Sequence, residues 1–291
     1  MSSSRSCGGA TLGIPAARNA GSTSARRTGG GTEAVSAATS ASARSTTGGM
    51  TALRSSDAGR GTGRVRDFAT AFLNLVQSLR LAEQSKDPAL GAHVHAGMAD
   101  QATLLGEPEE GMRLAQAGRQ GLMKVDSPAC LADLWTLEAR AHAVMGDKAA
   151  TAHAINEAER AFARSEPERE PEWARFIDPA YICGEWANAF RDLGQTKYAE
   201  AHARRSIDHA RTQKRARRGA MSYATLATAH LQNRDLDAAH AAGVRTLGLA
   251  TQVKSSRAVE AVRKLQDGML TFGPHPLVAD FKERARPLLA A

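Results

Sequence analysis

Cysteine and aromatic side chains are scarce in this chain. It has three cysteines among 291 residues, and phenylalanine, tryptophan and tyrosine together make up 4%. The cysteines stand far apart, and none pairs with another cysteine or a histidine at a metal-binding spacing. An odd number of isolated cysteines argues against a disulfide framework and favours a reducing, cytoplasmic location.

Long apolar runs are also missing. No window approaches the roughly 18 consecutive apolar residues of a membrane-spanning helix, so we expect no membrane association. The N-terminus lacks the apolar core of a secretory signal. Alternating apolar segments rich in Val, Ile and Thr do not occur either, which argues against β-strands.

Residues 1–66 contain no aromatic residue and no lysine. Gly, Ser, Ala, Thr and Arg account for 54 of these 66 residues. Nine arginines against Glu33 and Asp57 give the segment +7 of the chain's net charge of +8. Such a composition cannot bury enough apolar surface to offset chain entropy. We therefore predict a disordered, low-complexity basic tail over 1–66 and a folded domain over 67–291.

A repeated pair of helix signals organises the folded part. Asp or Ser followed by Pro is a typical helix start, and Gly ends a helix because it adopts the left-handed conformation without strain. The gaps from cap to glycine are 19, 19 and 16 residues in Asp87-Pro88 to Gly106, Ser127-Pro128 to Gly146, and Asp178-Pro179 to Gly194. A fourth turn contains Asn233, which we expect to take the left-handed conformation. Repetition on this scale indicates a helical-repeat solenoid.

Helical spacing of apolar residues recurs along the whole folded part, so the predicted fold class is all-α. A charged linker, 166–171, interrupts the series. The predicted helices are 66–85, 88–105, 108–122, 128–145, 148–163, 179–193, 197–211, 219–232, 236–251, 254–271 and 277–288.

The turns resemble those of the tetratricopeptide repeat. That family places a large and then a small residue on its first helix, Gly-Asp at the turn and Ala at fixed positions on its second helix. The turn-to-turn spacing here is 40, 48 and 40 residues. The matching residues are Trp186-Ala187, Phe190, Gly194, Ala199 and Ala203, then Leu226-Ala227, His230, Asp235-Leu236 and Ala239.

Residues 72–288 are similar to the C-terminal part of actinobacterial transcriptional regulators, in which a Cro/repressor-type helix-turn-helix domain precedes a tetratricopeptide-like domain. The resemblance implies a regulatory role in sensing or dimerisation. No helix-turn-helix pattern occurs here, so we expect a truncated or frameshifted relative, or a misassigned start. The similar phrases are Leu79-Arg80-Leu81-Ala82, Asp87-Pro88-Ala89-Leu90-Gly91-Ala92-His93, Glu138-Ala139-Arg140-Ala141, Pro171-Glu172-Trp173 and Phe190-Arg191-Asp192-Leu193-Gly194.

The resemblance also implies a ligand groove, lined by exposed positions on the first helix of each repeat. Asn and Arg at such positions can hold a peptide backbone or carboxylate through bidentate hydrogen bonds. The predicted partner is therefore a protein or peptide, and oligomers with related regulators are a further expectation. Ordinary surface polarity and pairing between helices remain the alternatives. The groove residues are Asp100, Thr103, Thr136, Arg140, Tyr181, Asn188, Arg191, Thr228 and Gln232.

A basic cluster lies within residues 211–218. It is interpreted as a solvated turn and helix start, or as a patch that binds an anion or a partner. Together with the basic tail it supports the alternative function, a nucleic-acid-binding regulator. The net charge of residues 67–291 is only +1, so direct nucleic-acid binding by the folded part is not expected. The candidate residues are Lys214, Arg215, Arg217 and Arg218.

Catalytic and cofactor motifs do not occur in the sequence. Walker-type phosphate loops and the GxGxxG, HExxH and GxSxG patterns are missing, so no enzymatic activity and no cofactor are predicted. His93 and His95 point in different directions on a helix, so no metal site is expected. Trp173 is either an exposed anchor for a partner or a side chain that packs the long linker.

Overall fold

The computed structural model describes the backbone of residues 61–253 and 255–290 and the side chains of residues 73–253 and 255–290. Within these residues the chain forms eleven α-helices and a short 3-10 helix, with no strand. The helices are α1 Gly61–Ser85, α2 Pro88–Leu105, α3 Pro108–Gly121, α4 Pro128–Val144, α5 Lys148–Phe162, α6 Pro179–Asp192, α7 Thr196–Thr212, α8 Ala216–Gln232, α9 Leu236–Ala250, α10 Ser256–Leu270 and α11 Pro276–Ala290.

The all-α prediction is confirmed, and each predicted helix has its counterpart. The largest difference in a boundary is at α1, which begins at Gly61, so residues 61–66, part of the predicted disordered tail, are helical. The start of α8 is Ala216 where the sequence predicted 219, and the other helix ends agree to within two residues. An amphipathic pattern marks only the part of a helix that packs, whereas a helix extends as long as each residue adds a backbone hydrogen bond. Residues 1–60, the rest of that tail, lie outside the described residues.

At two of the three predicted Asp-Pro and Ser-Pro helix starts, the Asp side chain caps the helix. Asp87 accepts a hydrogen bond from the Leu90 amide at 3.1 Å, and Asp178 accepts one from Tyr181 at 2.8 Å. Ser127 does not cap α4 in this way. Glu170, from the predicted linker, replaces it at the start of α4.

The Glu170 side chain is buried. Its carboxylate accepts hydrogen bonds from the Ser127 hydroxyl at 2.9 Å and from the Ala129 amide at 2.8 Å. A negative charge at a helix N-terminus interacts favourably with the helix dipole. The linker is therefore a structural part of α4 rather than a spacer.

A residue in the left-handed conformation ends the first helix of each of four hairpins, as expected, but in the fourth hairpin it is not the residue that the sequence predicted. Gly106, Gly146 and Gly194 have φ of 93°, 81° and 70°. In the fourth turn the left-handed residue is Arg234, with φ of 60°, and not Asn233, whose φ is −80°. Asn233 instead accepts a hydrogen bond from Thr196 at 2.6 Å through its side chain.

The helices pack as successive hairpins, α2–α3, α4–α5, α6–α7, α8–α9 and α10–α11. The first helices of the hairpins, α2, α4, α6, α8 and α10, are called the leading helices below. Each leading helix also packs against the next one. The leading helices thus form one continuous layer, and this layer carries the candidate site.

Alanine is the commonest buried apolar residue in this layer and between hairpins. Small side chains let helix axes approach closely, and a few large ones fill the remaining space. Trp186 and Phe281 are the largest fully buried side chains. Trp173 packs against the His93 ring, with centroids 5.0 Å apart, which favours its interpretation as a packing residue of the linker.

Among the described residues, none of the helices combines the length and the apolar character that crossing a membrane requires.

Candidate functional site

A cluster of charged side chains joins all five leading helices. We call it the polar cluster. Its members come from different hairpins and interact with one another through ion pairs and hydrogen bonds. They are Asp100 on α2, Asp133 and Arg140 on α4, Tyr181 and Glu185 on α6, Arg218 on α8 and Arg257 on α10.

Arg140 occupies the centre of the polar cluster. Its side chain is 9% exposed and lies between two carboxylates. One of its terminal nitrogens donates to Asp100 at 3.1 Å and to Glu185 at 3.0 Å. Removing one partner of a buried ion pair leaves an uncompensated charge, so Arg140 holds α2, α4 and α6 in register.

Two further arginines extend the polar cluster towards the C-terminal hairpins. Arg218 donates to the other oxygen of Glu185 at 3.0 Å. Arg257 donates to Asp100 at 3.3 Å. The second contact connects residues 157 positions apart, so the first and last leading helices meet directly.

The environments of Glu185 on α6 and Asp133 on α4 shift the pKa values of these two acids in opposite directions. Burial alone would raise the pKa of Glu185, but Arg140 and Arg218 outweigh it and lower this pKa to about 2. Burial raises the pKa of Asp133 to about 7, although Tyr181 donates a hydrogen bond to it at 2.8 Å. Glu185 is therefore ionised at neutral pH, and Asp133 changes its charge near neutrality.

The structure brings most of the nine predicted groove residues into or beside the polar cluster. Three of them, Thr103, Thr136 and Arg140, are buried, whereas the sequence placed them at an exposed surface. Thr136 accepts a hydrogen bond from the Trp186 indole at 3.1 Å. Tight packing between alanine-rich leading helices explains this burial, because small neighbours let the helices close over intervening side chains.

The groove residues outside the polar cluster and its buried neighbours lie in the C-terminal halves of α6 and α8. Asn188 links the polar cluster to Arg191: it donates to Glu185 at 3.1 Å and accepts from Arg191 at 3.0 Å. Gln232 donates to the backbone carbonyl of Arg191 at 3.0 Å. Thr228 donates only to a carbonyl of its own helix, at 2.9 Å.

The four residues of the predicted basic cluster have different surroundings. Arg215 pairs with Asp178, and Arg218 belongs to the polar cluster. Lys214 adopts the left-handed conformation at the turn, with φ of 54°. Arg217 is exposed; partial burial of its guanidinium, together with Arg257 and Arg218, lowers its pKa.

Sequence reasoning missed Asp133, Glu185 and Arg257. The first two do carry a signal, since each is a lone acid within an apolar helical stretch, where an unpaired charge would be costly. Arg257 carries no comparable signal. Its partner Asp100 lies 157 residues away, and no local pattern predicts that contact.

A cleft of about 590 Å³ is lined mainly by residues of α3, α4 and the turn between them. The Arg119 guanidinium covers the Trp135 ring 3.3 Å from its centroid and pairs with Glu138 at 2.5 Å. Besides Arg119, the titratable residues that line the cleft are Asp126 and Arg164.

The polar cluster is held together by ion pairs and hydrogen bonds. Burial raises the pKa of the Cys130 thiol to about 12, so this cysteine is not an activated nucleophile. In the part of the chain that the structure describes, no group of three or more His, Cys, Asp or Glu residues is placed to hold a metal ion.

Comparison with known proteins adds no assignment, because no protein-family model and no curated protein matches the chain.

Proposed function

We propose that this chain is a non-enzymatic module that binds a protein or peptide, built as a tetratricopeptide-like solenoid and related to cytoplasmic transcriptional regulators. Its ligand lies along the leading helices. A protein, a peptide or another regulator of the same type is the partner. Neither metal nor cofactor takes part in binding.

The positions that match the tetratricopeptide pattern support this proposal. Trp186, Ala187 and Ala203 are at most 1% exposed, and Leu226 and Ala239 are at most 4% exposed. In that repeat these positions hold the two helices of a hairpin together. Their burial at the expected places is what a divergent repeat requires.

One observation carries the functional proposal: polar side chains from all five leading helices converge on one another. Structural layers of helices normally meet through apolar side chains, because buried charges gain little net stability. Asn188 and Arg191 extend these groups to the C-terminal end of α6, where the Arg191 side chain is 23% exposed. Side chains of this kind can hold the backbone and charged groups of a bound peptide.

The test compares two arginine variants of the full chain. Arg191→Gln removes a guanidinium at the C-terminal end of α6. Arg204→Gln on α7 is the matched control, because both arginines make local ion pairs, with Asp192 at 2.6 Å and Glu200 at 2.8 Å.

Each protein is immobilised and exposed to a lysate of the source organism, and captured proteins and peptides are quantified by mass spectrometry. We expect at least one species to bind the parent chain and Arg204→Gln equally and to be reduced several-fold with Arg191→Gln. A capture profile that is identical for all three proteins would overturn the proposal.

The basic tail favours a second candidate function, nucleic-acid binding. Its +7 charge predicts affinity that falls steeply with salt and disappears when residues 1–66 are deleted. Binding that persists after this deletion would contradict the candidate. Within the folded part, the pairing of Arg215 with Asp178 and of Arg218 with Glu185 leaves less positive charge available for phosphates.

A further inference from the structure

The polar cluster and its neighbour Arg217 contain more positive than negative charge. Four guanidinium groups, those of Arg140, Arg217, Arg218 and Arg257, lie near the carboxylates of Asp100 and Glu185. Asp133 is buried close to them, and burial raises its pKa to about 7. Burying an excess of positive charge is unfavourable unless an anion compensates it.

Arg217 is the group left without compensation. It makes no hydrogen bond or ion pair with the described residues, and its charged neighbours are Arg257 and Arg218. It also lies in the first turn of α8, where no side chain caps the free backbone N–H groups and no acidic residue is present. The positive end of the helix dipole therefore adds to the same excess.

Two arginine nitrogens have unmet hydrogen-bonding capacity. The Nε atoms of Arg140 and Arg257 are buried and have no hydrogen-bond partner among the described residues. Arg257 is held only through its terminal NH2 group, at 3.3 Å from Asp100. A guanidinium normally binds a carboxylate or phosphate through two parallel hydrogen bonds, so the present contact is an incomplete one.

Asp100 resembles an internal substitute for a ligand. Its carboxylate accepts from Arg140 through one oxygen and from Arg257 through the other. The contact with Arg257 joins the first leading helix to the last. An external anion that bound Arg257 would compete with this contact directly.

We propose that the polar cluster binds an anionic group of the ligand, a carboxylate or a phosphate, which replaces Asp100 at Arg257 and takes Arg217 as its second contact. The Asp100–Arg257 ion pair keeps this site closed until such a ligand arrives. The proposal rests on the proposed function, since it names the chemistry of the ligand that the leading helices bind. No bond is made or broken, and one ion pair is exchanged for another.

The exchange explains why Arg217 matters. Replacing Asp100 by another anion at Arg257 gains little, because the lost and the new ion pair are similar. The net gain comes from Arg217, which acquires a partner only when the ligand binds. Removing the internal competitor should therefore strengthen binding, and removing Arg217 should abolish most of it.

The experiment measures the shift in Tm of the full chain caused by two probes, octaglutamate and inorganic phosphate, at constant ionic strength. A ligand raises Tm only by binding the folded state in preference to the unfolded state. Anions that bind the basic tail do so in both states, so the tail adds no shift. The variants are Asp100→Asn, Arg217→Gln and, as a matched control, Arg204→Gln.

We expect at least one probe to raise Tm of the parent chain and of Arg204→Gln equally. In Asp100→Asn the apparent Kd for that probe should fall about tenfold, and in Arg217→Gln it should rise about tenfold, since one ion pair with a charged ligand commonly changes affinity by this factor. A response to octaglutamate alone identifies a carboxylate, and a response to phosphate alone identifies a phosphate group.

Three results would overturn the proposal: no shift with either probe, equal shifts in all variants, or weaker binding by Asp100→Asn. If Asp100→Asn does not fold, Arg217→Gln decides, because Arg217 has no partner in the described structure to lose. If Arg191 is needed to capture a partner but Arg217 is not, the anion site is wrong and the proposed function stands. If the probes bind as expected but no partner depends on Arg191, the proposed function is wrong instead.

Discussion

Asp133 makes the stability of the fold depend on pH in a direction that can be worked out. Burial raises the pKa of this carboxyl from 3.8 to about 7 in the folded chain. The unfolded chain therefore loses the proton first as pH rises. The contribution of Asp133 to the free energy of unfolding falls between about pH 4 and pH 7. Above pH 7 it is constant, because Asp133 is ionised in both the folded and the unfolded chain.

The size of the effect follows from the same shift. Each unit of pKa difference corresponds to about 1.4 kcal/mol, so ionised Asp133 costs the fold on the order of 4 kcal/mol at pH 8. Glu185 has the opposite sign. Its pKa is lowered from 4.5 to about 2, so its stabilising contribution is present above pH 4.5 and is lost only as pH falls towards 2.

Asp133→Asn removes the titrating group and keeps an oxygen that accepts from the Tyr181 hydroxyl. The free energy of unfolding is measured by urea titration, followed by circular dichroism, between pH 4.5 and 8. We expect the variant to become more stable than the parent chain by a few kcal/mol as pH rises. Asp267→Asn, an exposed position on α10, is the control and should change stability little at any pH.

A constant difference between Asp133→Asn and the parent chain across this pH range would refute the reasoning. A variant that is less stable at pH 8 would show that ionised Asp133 is compensated by neighbours such as Arg218. The first result would remove Asp133 as a source of pH dependence, and the second would show that ionised Asp133 does not destabilise the fold.

Four single substitutions and one double substitution test the packing that positions the leading helices, each by urea unfolding. Gly111→Ala places a methyl group 2.9 Å from a backbone oxygen and should lower the free energy of unfolding by about 1–3 kcal/mol. Gly91→Ala meets no atom within 4 Å and should instead stabilise α2 by roughly 0.5–1 kcal/mol. Equal effects of the two substitutions would contradict both predictions. Glu170→Ala should cost about 2–3 kcal/mol because α4 loses its charged cap, and an unchanged stability would show that water replaces it. Trp186→Phe should cost about 1–3 kcal/mol by leaving the buried Thr136 hydroxyl without its donor, and Trp186→Phe with Thr136→Val should recover part of that loss.

How far the candidate site could be predicted depends on the distance between partners along the chain. The repeat pattern identified Asn188 and Arg191 as neighbours on one helix face, and the structure joins them by a hydrogen bond of 3.0 Å. It also identified Arg140 and Asp100 separately. It could not pair them, since 40 residues separate the two and ion-pair partners leave no periodic signal.

The capping groups show the same limit. Asp87 and Asp178 cap the helices that follow them directly, which is a local interaction and readable from sequence. Glu170 caps α4 from 41 residues away. Its role emerges only when the linker folds back, and the sequence alone presented it as one of several charged linker residues.

By itself, the sequence determined the helices of this protein: their number, most of their boundaries and the glycine turns between them. These follow from periodicity, capping residues and backbone conformations that act within a few residues of each other. Only the tertiary structure decided which polar residues are buried, which arginines have partners and that Arg257 meets Asp100. Those outcomes depend on how closely alanine-rich helices approach and where the last hairpin returns, and such long-range geometry is the sum of many contacts rather than a local pattern.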